Sequence, residues 1–194
     1  MSERWKKVDT ATDRGAALYA DFLHGDVSAL EQLVRLHGDA LTRFAYCIVK
    51  DADAAEDVTA DTFAALVVKR KKFRNEATFK TYLYTIARNK AIDHVRRSGK
   101  NRPLTGLENV LQSADDGTGP EVRERNERLY AGMQKLPAPY KEVLYLNYFD
   151  GFSVEEMCRI LKKNRKQIYN LLARARSTLK LHLIKEGFSH EDID

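Results

Sequence analysis

The chain has 194 residues, of which 43% are hydrophobic and 31% are charged, and its formal net charge is +5. This composition is typical of a soluble globular protein, and the positive charge favours an acidic partner without separating DNA from RNA or anionic lipid. A disulfide scaffold and a zinc site are both disfavoured, because Cys47 and Cys158 lie alone within helical apolar patterns and form no CxxC pair.

The apolar runs exclude two further classes of protein. Residues 1–14 are too polar to hold the apolar segment of a signal peptide, and no uninterrupted apolar run approaches the length of a membrane-spanning helix. We therefore expect a cytoplasmic protein with no membrane insertion of its own. We also expect no metal and no cofactor, since the sequence has no metal-binding or cofactor-binding motif.

Three helices are predicted before residue 50. Residues 16–23, 27–37 and 40–49 each place apolar side chains at three- and four-residue spacing. Gly38 is expected to end the second of them. The pattern predicts an α-helical bundle with short turns.

An acidic segment follows. Residues 51–61, DADAAEDVTAD, contain five acids and no base, at the start of the next predicted helix. The earlier acids complement the positive end of the helix dipole. Asp57 and Asp61 lie four residues apart beyond the first turn, where like charges repel unless a basic group meets them. This pair indicates either a docking surface for a basic partner helix or a carboxylate metal site, and we favour docking because no spacing motif supplies further ligands.

A basic and aromatic stretch comes next. Residues 73–97, FRNEATFKTYLYTIARNKAIDHVRR, run from a short polar loop into a long helix, and twelve Lys or Arg but only two acids lie between Lys69 and Arg102. Aromatic rings beside positive charge are suited to stacking on unpaired nucleotide bases. The rings here belong to Phe73, Phe79, Tyr82 and Tyr84. The alternative is a core helix with a solvated basic face.

The apolar stripe of this long helix drifts, so we expect the helix to pack on more than one side. Lys80, Tyr84, Arg88 and Arg96 are expected on its polar face. Asp93 and Asn89 are expected to form hydrogen bonds that tether neighbouring helices.

A linker is predicted after this helix. Residues 99–121 contain four of the ten glycines and two of the four prolines and have no sustained apolar period. The chain is therefore expected to form two small all-α domains, residues 1–98 and 122–194, joined by a flexible linker.

The second domain begins with returning helical periodicity from Val122. A helix is expected to end before Pro137, and another is expected over residues 140–149, with Tyr148 in the core. Asp150 and Gly151 are expected to form the following turn.

The last two predicted helices form a helix-turn-helix arrangement. Ser153 and Glu156 form a capping box that opens residues 154–161, and the next helix is expected from Asn164 to about Lys185. Nine Lys or Arg and no acids lie between Arg159 and Lys185. The first turns of the second helix can present side chains to the major groove of DNA. The alternative is a three-helix module that binds protein, but the acid-free charge favours DNA.

These segments together resemble a known family. AEDVTADTF at residues 55–63, FRNEATFKTYLYTIARNKAIDHVRR at residues 73–97 and LPAPYKEVLYLNYFDGFSVEEMCRIL at residues 136–161 resemble the extracytoplasmic-function sigma factors of bacterial RNA polymerase. The resemblance implies a sigma region-two helical bundle, a linker and a region-four helix-turn-helix domain. It implies a non-catalytic initiation subunit that directs core RNA polymerase to promoter DNA and begins strand opening, with an anti-sigma protein as a further partner.

The resemblance also implies roles for individual residues. Polymerase binding would fall to the helix that contains Glu56, Asp57, Asp61, Thr62 and Leu66. A flipped base of the minus-ten element would be captured by a loop and the helix behind it, namely Phe73, Arg74, Asn75, Glu76, Thr78, Lys80, Tyr84 and Arg88. The minus-thirty-five element would be read in the major groove by Asn164, Arg165, Lys166, Gln167, Tyr169, Asn170, Arg174 and Arg176.

The chain departs from the family pattern in three places. Lys162 and Lys163 stand in the helix-turn-helix turn, where relatives commonly have a glycine and an apolar residue. Tyr169, Asn170 and Leu171 replace a Lys-Ser-Arg-like run in the recognition helix, and Tyr82 replaces a commoner tryptophan.

Two other functions remain alternatives. One is a polymerase-independent helix-turn-helix regulator with the N-terminal bundle as a sensor. The other is a metal-dependent hydrolase that uses the carboxylates of residues 51–61, which the lack of a converging His or Asp set disfavours.

Overall fold

The structure, a computed structural model, describes residues 13–70, 73, 77–98, 132–133 and 135–185. The elements in these ranges are helices, which confirms the all-α prediction. The chain divides into two compact units, Met1–Gly106 and Leu107–Asp194. The predicted linker at residues 99–121 and the predicted helical stretch from Val122 to residue 131 lie outside the described residues.

Among its described residues, the first unit has four helices: α1, Arg14–Leu23; α2, Val27–Val49; α3, Ala52–Lys69; and α4, Phe79–Arg97. The central helix is α2, which packs against each of the other three. Each helix begins after a residue whose side-chain oxygen accepts a hydrogen bond from a backbone N–H in the first turn, which is the usual way to satisfy these donors. The four capping residues are Asp13, Asp26, Asp51 and Thr78.

The prediction that Gly38 ends a helix is wrong, because α2 continues through it to Val49. Glycine in a helix interior costs only about 1 kcal/mol relative to alanine, and burial of a continuous apolar face outweighs that cost. Leu33, Leu41 and Phe44 on either side of Gly38 are fully buried. The hydroxyl of Thr42 lies 3.1 Å from the carbonyl of Gly38 and 2.9 Å from the hydroxyl of Thr59 on α3, and it can donate its one proton to either oxygen.

The second unit contains α5, Ala138–Leu144, which runs into a π-helical turn at Tyr145–Phe149, then α6, Val154–Leu161, and α7, Arg165–Lys185. The start of α5 has prolines at positions where no helical N–H is required. Gly151 adopts a φ of +64° in the turn before α6. Both α5 and α6 pack against α7, and α6 also contacts the π-helical turn.

The prediction that Tyr148 lies in the core is wrong, since 58% of this residue is exposed. Its neighbours Val143, Leu144 and Leu146 are buried as predicted. The π-helical turn adds a residue to the helical repeat and so rotates the following side chains relative to the α-helical register. The guanidinium of Arg176 on α7 lies 5.5 Å from the centre of the Tyr148 ring.

Three helices end in residues with left-handed backbone conformation. Lys50, Arg70 and Lys162 follow α2, α3 and α6 with φ values of 60°, 38° and 54°. Glycine is the usual residue at such a position because a side chain strains it. Within the described residues, no helix combines the length and the apolar character that crossing a bilayer requires.

Candidate functional site

An acidic face runs along the solvent side of α3. Asp53, Glu56, Asp57 and Asp61 are all exposed, and the three aspartates succeed one another at intervals of four residues, which places them along one side of the helix. Asp51 is occupied otherwise, because its carboxylate accepts a hydrogen bond from the N–H of Ala54 at 2.9 Å. The exposed carboxylates therefore form a continuous negative surface suited to a basic partner.

Two residues of the implied polymerase-binding set lie in the core instead. Thr62 and Leu66 have exposures of 0% and 1%. The hydroxyl of Thr62 donates to the carbonyl of Val58 one turn earlier, which satisfies it without water. The exposed apolar side chains at this end of α3 are Val67 and Val68, of which Val68 is 82% exposed.

One cation of the first unit already meets this acidic face. The ammonium of Lys90 on α4 lies 3.4 Å from a carboxylate oxygen of Asp61, and 65% of the Asp61 side chain is exposed. An ion pair with this exposure contributes at most about 1 kcal/mol, so a partner can replace it at little cost. Asp61 is thus only partly neutralised within its own unit.

The start of α4 is built into an aromatic cluster. The ring of Phe73 lies 5.7 Å from that of Phe79 and 5.6 Å from that of Tyr82, and Tyr19 of α1 lies 5.2 Å from Phe79 on another side. Phe79 is fully buried, whereas Phe73 and Tyr82 are half-buried. Burial raises the pKa of the Tyr82 hydroxyl. The two half-buried rings form the accessible edge of the cluster.

Tyr84 does not lie on the polar face of α4, and that prediction is wrong. Its exposure is 0%, and its ring packs 5.0 Å from the ring of Phe44 on α2. The ammonium of Lys80 lies 5.7 Å from the centre of the Tyr84 ring, at the edge of this packing. Tyr84 is therefore buried in the core of the unit, whereas Tyr82, two residues earlier, is half-buried.

The other predicted residues of this site divide into two groups. Thr78 caps α4 through its hydroxyl, which accepts from the N–H of Thr81 at 3.2 Å, and Arg88 is half-buried. Arg74, Asn75 and Glu76 lie outside the described residues.

The predicted tether by Asp93 is wrong, since Asp93 is exposed and pairs with Arg96 of the same helix at 3.7 Å.

The helix-turn-helix geometry of the second unit is confirmed in its local details. The capping box of Ser153 and Glu156 is present in both directions. After α6, Lys162 has a left-handed backbone conformation. It stands at the position in the turn where the family pattern has glycine. Asn164 then caps α7: its side-chain oxygen accepts from the N–H of Gln167 at 2.9 Å, and the Gln167 oxygen accepts from the N–H of Asn164 at 3.0 Å.

This reciprocal cap separates two roles within the predicted DNA-reading set. Asn164 and Gln167 hold the helix start, whereas Arg165 extends back to Glu155 on α6 at 3.0 Å. The remaining members of the predicted set are also exposed on α7, namely Lys166, Tyr169, Asn170, Arg174 and Arg176. The opposite face, Ile168, Leu172 and Ala175, is buried.

Cys158 lies beside this crossing of α6 and α7 and is half-buried. Burial raises the pKa of its thiol, and the charge of Glu155 acts in the same direction. A thiol with a raised pKa is a poor nucleophile, which fits a packing role. Among the described residues, no group of three His, Cys, Asp or Glu side chains converges in a way that could hold a metal ion.

Sequence reasoning missed Asp13, whose carboxylate reaches the start of α4. Its oxygen Oδ2 accepts from the N–H of Phe79 at 2.6 Å, across 66 residues of sequence. The available signal was the capping pattern alone, an aspartate directly before the helical residues of α1. A local cap is readable in this way, whereas a contact with a distant helix is not.

Two family models match the chain. The model described as Sigma-70 region 2 matches residues 33–101, and the model described as Sigma-70, region 4 matches residues 126–179. The first match covers most of the helices of the first unit together with the start of the predicted linker, and the second covers the helix-turn-helix. The two matches occur in the order that the sequence motifs predict.

Curated relatives match over almost the whole chain. RNA polymerase sigma factor NccH of Alcaligenes xylosoxydans xylosoxydans is 30% identical over 179 residues, which is 89% of this chain and 92% of that protein. ECF RNA polymerase sigma factor SigW of Bacillus subtilis is 28% identical over 170 residues, which is 82% of this chain and 91% of that protein.

Solved structures agree with these matches. The structure of CnrH in complex with the cytosolic domain of CnrY superposes with a TM-score of 0.66 at 25% identity, covering 91% of this chain and all of that chain. The sigma factor RpoE of Bartonella quintana, solved with the anti-sigma factor NepR, gives a TM-score of 0.59 at 25% identity, covering 81% of this chain and 98% of that chain.

Proposed function

This chain belongs to the extracytoplasmic-function sigma factors of the sigma-70 family, and from this premise we propose which of its surfaces carries each step of transcription initiation. As an alternative sigma factor, the protein directs core RNA polymerase to specific promoters and nucleates strand opening. We propose that it does so without catalysis of its own and acts in the cytoplasm. The region-two domain comprises residues 1–98, the linker residues 99–121 and the region-four domain residues 122–194.

The observation that carries the proposal is the separation of charge within the first unit. The exposed face of α3 carries carboxylates, whereas the adjacent α4 carries Lys80, Arg88, Lys90, Arg96 and Arg97. Carboxylates do not attract DNA, so the acidic face is suited to a basic protein surface. We assign polymerase docking to Glu56, Asp57 and Asp61 together with Asp53 and the exposed Val68, and we place Thr62 and Leu66 beneath them as support.

Base capture at the minus-ten element is assigned to the start of α4. The half-buried rings of Phe73 and Tyr82 offer stacking faces, and Lys80 and Arg88 supply positive charge for the strand. The proposed capture loop also includes Arg74, Asn75, Glu76 and Thr78. Of these four residues, only Thr78 lies within the described residues. Melting costs stacking energy, and stacking of an extruded base on a preformed aromatic edge offsets part of that cost.

Reading of the minus-thirty-five element is assigned to α7. Lys166, Tyr169, Asn170, Arg174 and Arg176 face solvent along one helix, which fits the width of the major groove. Arg165 is oriented by Glu155, and Asn164 and Gln167 fix the helix start. Because phosphate contacts position a protein and base contacts specify it, the cations are expected to set affinity, with Tyr169 and Asn170 setting preference.

An anti-sigma protein is a further proposed partner. The two similar structures above were each solved with such a protein or with a partner domain bound. The acidic face of α3 ends in the exposed apolar side chains of Val67 and Val68, a combination that a partner can cover as one patch. Covering it would block polymerase docking directly.

In vitro transcription tests the proposal. The assay combines core RNA polymerase with this protein on a pool of genomic promoter fragments from the same bacterium. Specific starts that require the protein are expected. Their absence, or a tight duplex footprint from the protein alone, would favour the polymerase-independent regulator instead.

Charge reversal tests the docking surface. Asp57→Lys is expected to weaken association with core polymerase at least tenfold, because it places like charge against a basic partner. Asp61→Lys should act in the same direction and also loses its pair with Lys90. Asp39→Lys is the matched control, since Asp39 is exposed on α2, outside the acidic face. Equal affinities for Asp57→Lys and Asp39→Lys would remove the acidic face from the polymerase interface.

A further inference from the structure

We infer that Asp13 is a positioning residue for promoter opening: its carboxylate joins the start of α1 to the start of α4 and thereby fixes the base-capturing edge. Oδ1 accepts from the N–H of Ala16 at 3.1 Å, which caps α1, and Oδ2 accepts from the N–H of Phe79 at 2.6 Å. Phe79 is the first residue of α4. One side chain thus serves two helices.

The electrostatics favour this arrangement. The N-terminus of a helix carries partial positive charge and unpaired N–H groups, and a carboxylate placed there makes charge-assisted hydrogen bonds. Thr78 supplies only a neutral oxygen to α4, through its bond with the N–H of Thr81. Asp13 supplies the negative charge, and it comes from a segment 66 residues earlier in the chain.

Packing holds the same two helix ends together. A Cβ atom added to Gly15 would lie 2.8 Å from Cδ1 of Phe79, so the backbone of α1 approaches the ring as closely as only glycine permits. Tyr19, one turn further along α1, also packs on Phe79, with 5.2 Å between the ring centroids. Phe79 is therefore held by a hydrogen bond at its backbone and by α1 at its ring.

The consequence for function follows from what Phe79 supports. Phe73 and Tyr82, the accessible rings of the proposed capture site, both pack on Phe79. A shift of the α4 start would move the two stacking faces together. A binding site must be held closely to its productive geometry, so a small displacement is expected to lower affinity for the extruded base.

A conservative substitution isolates this role. Asp13→Asn keeps the size of the side chain and a good helix-capping group, but an amide has one acceptor oxygen and can serve only one of the two N–H groups. Asp26→Asn is the matched control. Asp26 caps α2 in the same way, and both of its described side-chain bonds are to Ser28 of that helix.

The experiment uses the complete protein bound to core polymerase. Its probes are single strands that cover the minus-ten region of promoters found by the transcription assay, and duplexes that carry only the upstream element. This inference rests on the proposed function. A wild-type holoenzyme that shows no preference for minus-ten single strands would overturn both.

With wild-type preference established, Asp13→Asn is expected to lower single-strand affinity by up to about tenfold, because binding must then order a start of α4 that has lost one charge-assisted hydrogen bond. Affinity for the upstream duplex should stay within about twofold, as should both affinities for Asp26→Asn. The amide of Phe79 should exchange faster with solvent only in Asp13→Asn. Equal single-strand affinities for the two variants, or an unchanged Phe79 exchange rate, would overturn the inference.

Gly15→Ala gives a second test that leaves every hydrogen-bonding group in place. The added Cβ would lie 2.8 Å from Cδ1 of Phe79 and 3.1 Å from Nε2 of His37, so the Phe79 ring must shift and single-strand affinity is expected to fall, as for Asp13→Asn. Retained affinity for the upstream duplex shows that the holoenzyme is intact. A Gly15→Ala protein with wild-type single-strand affinity would mean that the position of Phe79 does not control capture.

Discussion

The two basic helices of this protein are held in opposite ways. The start of α4 has a local cap, Thr78, and is also held by groups from other segments: the carboxylate of Asp13, the ring of Tyr19 and the side chain of Phe73. The start of α7 is fixed mainly by its own residues, through the reciprocal cap of Asn164 and Gln167. A preformed stacking surface for an extruded base is built from side chains of several segments. A helix that enters the major groove needs only an exposed face on its own unit.

This difference predicts how each helix responds to substitution. Aromatic side chains of α4 are largely internal, so changes there should lower stability before they alter recognition. Aromatic and polar side chains of α7 are external, so changes there should alter recognition at nearly constant stability. Tyr84 and Tyr169 form the sharpest pair for testing this, with exposures of 0% and 59%.

Truncation of Tyr84 is expected to have the largest effect. Tyr84→Ala removes a buried ring that packs on Phe44, and the free energy of unfolding of the first unit should fall by about 3–5 kcal/mol. Tyr169→Ala should change stability by no more than about 0.5 kcal/mol and should weaken binding to upstream-element duplex. Denaturation followed by the backbone amide signals of each unit measures the two changes in stability. Titration with upstream-element duplex measures the change in binding.

Tyr84→Phe is the control for the ring itself, because it keeps the buried volume and removes only the hydroxyl. It should be much less destabilising than Tyr84→Ala. If Tyr84→Ala kept the stability of the wild type and lost only single-strand binding, Tyr84 would have to be an accessible base contact. The same result would erase the contrast between the two helices.

Local chemistry made parts of this fold predictable from sequence. The capping box of Ser153 and Glu156 and the helix start near Asn164 depend on side chains within three residues of one another, and both were correct. Gly38 was misjudged because a local helix breaker was outweighed by burial on a distant face. Local sequence preferences therefore predict helix ends well only where continuing the helix would not bury a large apolar surface.

The candidate site shows the same limit. Val58, Thr62 and Leu66 follow one another at four-residue intervals and form a buried stripe on α3. Thr62 can be buried there because its hydroxyl donates a hydrogen bond to the carbonyl of Val58. Tyr82 and Tyr84 are two residues apart, so they point to different sides of α4, and sequence alone did not establish which side the core occupies. Contacts with α1 and α2 determine that choice.

The first unit is also expected to lose stability in mild acid. His37 lies near Phe79, and burial together with the charge of Lys80 lowers the pKa of its imidazole from about 6.5 to about 4, although the charge of Asp13 opposes this shift. Between these two values the unfolded chain binds more protons than the folded one. Stability contributed by neutral His37 is therefore present above about pH 6.5 and is lost as the pH falls towards about 4.

Lowering the pH from about 7 to about 5 should reduce the free energy of unfolding by roughly 1–2 kcal/mol through His37, allowing for partial solvent screening. His37→Leu removes the titrating group and should flatten the dependence of unfolding free energy on pH in this range. Carboxylates elsewhere are common to both proteins and cancel in the difference. Parallel pH profiles for wild type and His37→Leu would show that the imidazole does not titrate differently on folding.

The smallest expected effect lies in the turn between α6 and α7. Lys162 has a φ of 54°, where a side chain is strained, so Lys162→Gly should stabilise the second unit by about 0.5–1 kcal/mol after the greater freedom of glycine in the unfolded chain is subtracted. Lys50→Gly makes the same change at the end of α2, with φ 60°. The two substitutions should therefore have similar effects on their own units.

Their effects on DNA should differ. Lys162 is an exposed cation in the helix-turn-helix turn, so Lys162→Gly should weaken upstream-duplex binding modestly and reduce the slope of log affinity against log salt by up to about 1. Lys50→Gly should leave that slope unchanged, since Lys50 belongs to the unit that carries α4. Destabilisation by Lys162→Gly would mean that the lysine side chain holds the turn. An unchanged salt slope would mean that Lys162 contributes no phosphate contact and that the charge which positions α7 on duplex DNA lies on the helix itself.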